Sequence, residues 1–184
     1  MRNNCDHDFC DPNVKGAHVF LITNNYNGEN AILAGEENKN GLSTSGGGYR
    51  EKGECCIQTC LRELKEESGF DFNEECFISN RTGKYRYFIT TNKKGSSTLF
   101  LIGHLPHNFS SKSINNILDE RKKNKNRYRK EELEMNKYIW IYYEKTEKKI
   151  YQYHRENKFV YKEEYKGKIR NILKDTIKKV WKYL

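Results

Sequence analysis

Arg62, Glu63, Glu66 and Glu67 are the residues of this 184-residue chain whose types and spacing point most directly to chemistry. They lie in ECCIQTCLRELKEES at 54–68, where Ile57, Cys60, Leu61 and Leu64 recur at helical offsets and Gly69 stands where a C-cap needs a left-handed residue. At about 100° per residue the three glutamates share one face of such a helix, with a mean direction roughly 120° from that of the apolar stripe. Like charges within one turn repel and need a compensator. Arg62 and Lys65 can serve, and an acidic helix face is commonly just solvated surface. A hard divalent cation is the better compensator: Mg²⁺ prefers oxygen ligands and fills its shell with a few carboxylates, waters and substrate phosphate oxygens.

The frame around the glutamates strengthens that reading. From Gly48 to Phe70 the sequence is GYREKGECCIQTCLRELKEESGF, with Glu54 six residues after Gly48 and Arg62 eight after Glu54, followed by Glu63, Leu64, Glu66, Glu67, Gly69 and Phe70. This resembles the Nudix hydrolase signature, G-x5-E-x7-R-E-U-x-E-E-x-G-U with U a bulky apolar residue, and no fixed position departs from it. The resemblance implies hydrolysis of a pyrophosphate bond in a nucleoside diphosphate linked to another moiety, with Mg²⁺ or Mn²⁺ as cofactor. It assigns the metal to Glu63, Glu66 and Glu67, sometimes with the carbonyl of Gly48. It makes Glu66, Glu63 and Arg62 the catalytic group and gives Glu54 and Gly69 structural positions, with Glu54 and Arg62 bracing loop and helix. Helical spacing on its own supports only the clustered carboxylates. The general base of the family varies; Glu66 and Glu63 are candidates inside the motif, and Glu131, Glu132 or Glu134 outside it, although a charged loop is the simpler account of each of those three.

Several elements must position this helix. AHVFLITN at 17–24 is an apolar run ended by the turn-forming NNYNGEN, so a strand is expected there with AILAG at 31–35 as its hairpin partner. Gly46-Gly47-Gly48 precedes the helix. Strands are expected at 75–79, 84–91 and 97–104, the last two joined by a turn at Asn92–Gly95. From Pro106 to about Lys130 the pattern fails, and RKKNKNRYRK reads as an exposed loop or weak helix inserted before the strand YIWIYY at 138–143. The chain closes on an amphipathic helix carrying Ile169, Ile172, Leu173, Ile177, Val180, Trp181 and Leu184. The fold expected is α/β (α+β): a Nudix-like α/β/α sandwich with a mixed sheet, a central catalytic helix and a C-terminal amphipathic helix. Residues 1–14 are read as an N-terminal extension and 15–184 as a single Nudix-like domain with a basic insertion at about 106–136.

Composition bounds the remaining choices. No run approaches a membrane span, and MRNNCDHDFC lacks the apolar run of a signal peptide, so the expectation is a soluble, cytoplasmic protein with no membrane partner. Six cysteines do not make a disulfide scaffold at this length. The Cys5, His7 and Cys10 cluster matches no standard zinc spacing. Charge is divided: residues 1–111 carry net −2 and residues 112–184 net +11. A basic region favours an anionic partner, although a solvated Lys-rich surface is an equal account of it. Lys and Arg interleaved with Tyr128, Tyr151, Tyr153, Phe159 and Tyr161 could pair with phosphates and stack on bases, as in single-stranded RNA binders. Trp140 and Trp181 are expected in the core.

The substrate is less legible. Sixteen residues past the motif, where ADP-ribose enzymes of the family carry proline, stands Arg86 between Tyr85 and Tyr87; this disfavours ADP-ribose and is similar to the dinucleoside polyphosphate subgroup. The triple glycine resembles diphosphoinositol polyphosphate hydrolases. Viral-type mRNA decapping Nudix enzymes combine the same motif with a basic RNA-binding surface, and mRNA cap hydrolysis is the most specific expectation. An anionic nucleotide substrate is common to these readings; an RNA-binding Nudix module without turnover is the alternative of another class. Oligomeric state is not legible.

Overall fold

The structure, a computed structural model, describes residues 7, 9–26, 29–106, 108–156 and 159–184. Cys5 of the Cys/His cluster lies outside the described residues, as do the other residues of the N-terminal extension at 1–6 and 8; Phe9 is buried in the core and the first strand begins at Val14.

The strands β1 (Val14–Tyr26) and β2 (Glu29–Glu37) pair antiparallel through Leu21–Thr23 and Ala31–Leu33, as the apolar runs predict. Two short strands, β3 (Gly41–Leu42) and β4 (Gly46–Tyr49), pair with β2 and β1 respectively. The helix α1 (Cys56–Ser68) follows, then β5 (Tyr87–Thr91) and β6 (Ser97–His104), which runs parallel to β1. A parallel partner cannot be reached by a hairpin, so the chain crosses over the sheet, and α1 is the crossover helix. After α2 (Ser111–Lys123) come β7 (Met135–Glu144), β8 (Lys149–Glu156), β9 (Phe159–Glu164) and α3 (Asn171–Val180). The long sheet has the order β5-β6-β1-β2-β7-β8-β9, with only the β1/β6 pair parallel.

Because successive strand residues point to opposite faces, the central strands are buried on both sides and build two cores. Val19, Leu21, Leu33, Leu99, Leu101 and Trp140 face Ile57, Cys60 and Leu64 of α1 and Ile114 and Leu118 of α2. Phe20, Ile22, Ile32, Phe100 and Ile141 face Leu173, Ile177 and Val180 of α3, with Trp181 just beyond it. The expected α/β/α sandwich is what forms. Each fully buried Leu, Ile or Phe contributes about 1.5–3 kcal/mol, so α1 is pinned by its apolar stripe with its glutamates on another face.

Three stretches differ from expectation. Residues 75–79 are not a strand: Asn73 accepts the Glu75 N–H at 3.0 Å and starts a 3-10 turn, Glu74–Phe77, that drives Phe77 into the core, leaving only an isolated Ile78–Tyr85 bridge. The segment after Pro106 is not an irregular loop throughout. Ser110 accepts the Lys112 N–H at 3.2 Å and starts α2, whose buried positions Ile114, Leu118 and Arg121 follow i, i+4, i+7. Two apolar residues and an arginine make a faint stripe. The basic segment 149–164 forms the hairpin β8–β9, where Tyr153 is buried and Tyr161 is exposed, and Phe159, grouped with them above, is a residue whose side chain is not described. Among the described residues no helix is long and apolar enough to cross a membrane.

Candidate functional site

The site starts from a fork in the sheet. β1 pairs with β2 at Leu21–Thr23 but with β4 at Gly16–Val19, so the two long strands part between Val19 and Leu21. Ser45 fills the fork: its N–H donates to Val19 O at 2.9 Å, its Oγ accepts the Leu21 N–H at 2.7 Å and donates to Leu33 O, and its carbonyl accepts the Tyr138 hydroxyl at 2.8 Å. These bonds satisfy the backbone groups that parting the strands would orphan. They also deliver Gly46–Gly48 beneath α1. A Cβ on Gly48 would fall 2.4 Å from Glu63 Oε1, so only glycine lets the carboxylate lie on the strand backbone.

The helix is held at both ends. Cys55 and Gln58 form a reciprocal capping box at the N-terminus, and Gly69, at φ 71°, closes the C-terminus with its N–H on Lys65 O at 2.8 Å. The glutamate face then converges on Arg62. Its Nε and Nη2 hold Glu54 at 2.7 and 3.2 Å, and its Nη1 lies 2.8 Å from Glu63 Oε1 and 3.0 Å from Glu66 Oε2. Nη2 also donates to Tyr49 O at 3.2 Å, tying helix to loop. Burial works against the Glu54 charge, but hydrogen bonds from Arg62, the Glu51 N–H and Thr59 outweigh it and hold its pKa below the ordinary value. Arg62 thus links Glu54 and the Tyr49 carbonyl to the helix.

Glu63 and Glu67 are in the opposite situation. Burial raises the Glu63 pKa, and neighbouring Glu66 and Glu54 add to it against the pull of Arg62. Glu67 is driven much further up by burial and then by Glu63, Glu37 and Glu134, against a hydrogen bond from the Gly47 N–H. Its Oε2 is buried and has no hydrogen-bond partner among the described residues. A buried carboxyl oxygen without a partner, with Glu63, Glu37 and Glu134 all adding negative charge around it, is short of positive charge, and these side chains offer oxygen donors. That is the donor set of a hard divalent cation. Among the described residues, however, no group of three or more His, Cys, Asp or Glu is already set as a cation cage, because Arg62 engages Glu63 and Glu66 and a second arginine, Arg129, sits 2.9 Å from Glu66 Oε1.

The three outside glutamates separate. Glu131 is exposed. Glu132 is engaged by Arg129, whose N–H reaches its Oε2 at 2.9 Å and whose Nε lies 3.4 Å from the same atom. Glu134 is the one whose charge acts on Glu67. Sequence reasoning missed four participants. Glu37, at the end of β2, reaches the Glu67 region while paired with Arg170 and Asn40. Arg121, buried at 7% exposure, donates to Glu66 O at 2.6 Å and Glu132 O at 3.2 Å, fastening the segment 129–134 to the end of α1. Arg129 and Ser45 complete the set. Ser45 and Glu37 carry no local signal; Arg121 could have been found from its i+7 spacing to Ile114.

Beside Glu37 and Glu134 a hollow is lined by Lys39, Tyr128, Lys130 and Leu133. It shares Asn38, Lys39 and Leu133 with a second hollow bearing Lys122, Lys123 and Lys125. Together they form a trough that carries five lysines, Lys39, Lys122, Lys123, Lys125 and Lys130, against Glu37, Asp119 and Glu134. Arg86, singled out by its position past the motif, instead heads the edge strand β5, its Nη2 3.4 Å from Ile78 O.

No family model matches the sequence, and no curated protein matches it. Among solved structures the chain is similar to a MutT/nudix family protein from Enterococcus faecalis, with 14% identity and a TM-score of 0.50 over 92% of this chain and 61% of that one. It is also similar to the C. elegans Ap4A hydrolase, at 19% identity and TM-score 0.35 over 50% of this chain and 67% of that one, and to a binary complex of a C. elegans Ap4A hydrolase, at 16% and 0.38 over 52% and 75%. The chain thus spans about three fifths of the length of the Enterococcus protein. The first likeness bears out the expected Nudix-like fold.

Proposed function

We propose that this chain is a divalent-metal-dependent pyrophosphohydrolase of Nudix type, cleaving a diphosphate bond in a nucleoside diphosphate linked to another moiety. The observation that carries the reading is the placement of the complete motif: Glu63 and Glu67 reach from a capped helix onto the glycine strand, Glu66 stands beside them on Arg62, and the buried Glu67 Oε2 has no partner among the described residues. Glu63, Glu66 and Glu67 would hold Mg²⁺ or Mn²⁺, with the Gly48 main chain beside them. A bound cation would supply charge neutralisation on the diphosphate and an acidified water. The chain's own groups do the rest. Arg62 and Glu54 fix the face, the glycine strand admits the carboxylates, and Glu66 or Glu63, or Glu134 from across the site, takes the proton of the attacking water. Glu134 is favoured over Glu131 and Glu132 by its electrostatic reach to Glu67.

For the substrate, we propose capped mRNA in the cytoplasm. The support is the pair of hollows: Lys39, Lys122, Lys123, Lys125 and Lys130 line them, Glu37 and Glu134 stand at the edge of one, and Tyr128 offers a ring among the lysines. Lysines tracking a backbone beside an aromatic platform suit a single strand. The unit concerned is the Nudix-like domain of residues 15–184.

The test is Mg²⁺- and Mn²⁺-dependent hydrolysis of cap-labelled RNA, free cap dinucleotide, dinucleoside polyphosphates, ADP-ribose and diphosphoinositol polyphosphates, with Glu66→Gln as control. Release of m⁷GDP from capped RNA but not from free cap is expected, with loss of turnover by orders of magnitude in the variant. Cleavage confined to dinucleoside polyphosphates or inositol pyrophosphates would replace the RNA substrate while keeping the hydrolase. RNA binding without any hydrolysis, unchanged in Glu66→Gln, would make the chain a binding module.

A further inference from the structure

Both oxygens of Glu66 are already engaged. Oε2 lies 3.0 Å from Arg62 Nη1, and Oε1 lies 2.9 Å from Arg129 Nη2. The two arginines are not equivalent. Arg62 is 23% exposed and also holds Glu54, Glu63 and Tyr49 O, so displacing it would dismantle the helix–loop junction. Arg129 is 64% exposed and comes from the loop between α2 and β7. That loop is fixed from behind, where Arg121 joins Glu132 O to Glu66 O. Arg129 therefore has a fixed root, its Nε 3.4 Å from Glu132 Oε2, and an Nη2 end held only by Glu66 among the described residues.

Arg129 is the exposed member of its pair with the largely covered Glu66, and solvent screens the charge it brings, so a divalent cation approaching Glu66 meets a competitor that yields more readily than Arg62. Once released, the guanidinium remains within a side chain's reach of Glu66, where a diphosphate would lie if the hydrolase reading is right. Its planar fork of donors matches phosphate oxygens. We infer that Arg129 is an exchange clamp: it neutralises Glu66 in the free protein, gives that oxygen up to the cation, and takes a phosphate oxygen of the substrate in its place. This rests on the function proposed above. It assigns Arg129 to substrate binding, a role outside the Gly48–Phe70 motif.

The exchange predicts opposite effects on two ligands. Mn²⁺ binding is measured by electron paramagnetic resonance on the protein without substrate, and ADP binding by calorimetry in saturating Mg²⁺, for wild type, Arg129→Ala, Arg129→Lys and Glu66→Gln. Removing the competitor in Arg129→Ala should tighten Mn²⁺ about two- to fivefold, the equivalent of an exposed pair. Removing the phosphate donor should weaken ADP about tenfold. Arg129→Lys keeps the charge without the fork and should fall between wild type and Arg129→Ala for both ligands. A merely structural tie would weaken both together or neither, and either result overturns the exchange, as does tighter Mn²⁺ with unchanged ADP. If wild type binds Mn²⁺ and turns over substrate while Arg129→Ala matches it in both affinities, only the clamp falls. If wild type binds neither Mn²⁺ nor ADP and hydrolyses nothing, the hydrolase reading falls with it.

Discussion

Arg121→Met removes a buried charge at the hinge between α1 and the segment 129–134 while keeping most of the side-chain volume. In the native protein the guanidinium donates to Glu66 O at 2.6 Å and Glu132 O at 3.2 Å, with a longer contact to Lys65 O at 3.4 Å, and it lies 5.5 Å from the centre of the Tyr128 ring. Lys65 O keeps the Gly69 N–H in the variant, but Glu66 O and Glu132 O lose a donor. Hydrogen bonds from a charged donor contribute about 1.5–3 kcal/mol each. Two of them, less what methionine regains by apolar packing, leave a loss of about 2–4 kcal/mol. In a chain of this size 1 kcal/mol moves Tm by about 2–4 °C, so the variant should melt about 5–15 °C lower, and urea denaturation at constant m should give the same free energy. Amide exchange should rise first at 129–134, because Arg121 fastens that segment to the helix. Arg121→Lys, which retains charge but cannot span both carbonyls, should fall between. A loss below about 0.5 kcal/mol, or exchange that rises uniformly instead of at 129–134, would refute the docking role.

Two more outcomes follow from the charge distribution. Lys123→Glu combined with Lys125→Glu should weaken binding of a capped 20-nucleotide RNA and reduce its dependence on salt concentration by about two to four counterions' worth of slope, with hydrolysis of a short cap analogue unchanged; an unaltered salt slope would remove the trough from the RNA path. His18 and His104 are both held neutral, each pKa pulled down to about 4 by burial and then by Arg170 and Arg86 respectively. The unfolded chain takes up these protons near pH 6.5 and the folded chain does not, so stability is full above about pH 6.5 and declines as pH falls toward 4. His18 should account for about 3 kcal/mol of the decline. Urea titrations at pH 7, 5.5 and 4.5 on wild type and His18→Gln should show a smaller pH slope in the variant, and equal slopes would contradict the assignment.

The helix α1 was legible because everything that defines it is local: the Ile57, Cys60, Leu64 stripe, the Gly69 cap, and three glutamates whose mean direction is set by 3.6 residues per turn. The β1–β2 hairpin, β6, β7 and the layering of α3 were legible for the same reason, each being a strong periodic run. The helix α2 was lost because its buried face is Ile114, Leu118 and a charged Arg121, and the turn at 74–77 because an apolar pair in CFIS reads as strand until Asn73 caps it. The surroundings of the glutamates could not be read along the chain at all. Glu37 lies thirty residues before Glu67, and Arg121, Arg129 and Glu134 follow it by more than fifty. Only the antiparallel return of β7 beside β2, and the packing of α2 against α1, bring these charges together. Local spacing decides which side chains share a face, whereas burial, and with it the raised pKa of Glu67 and the pairing of Glu66 with Arg129, is a property of distant segments meeting in three dimensions.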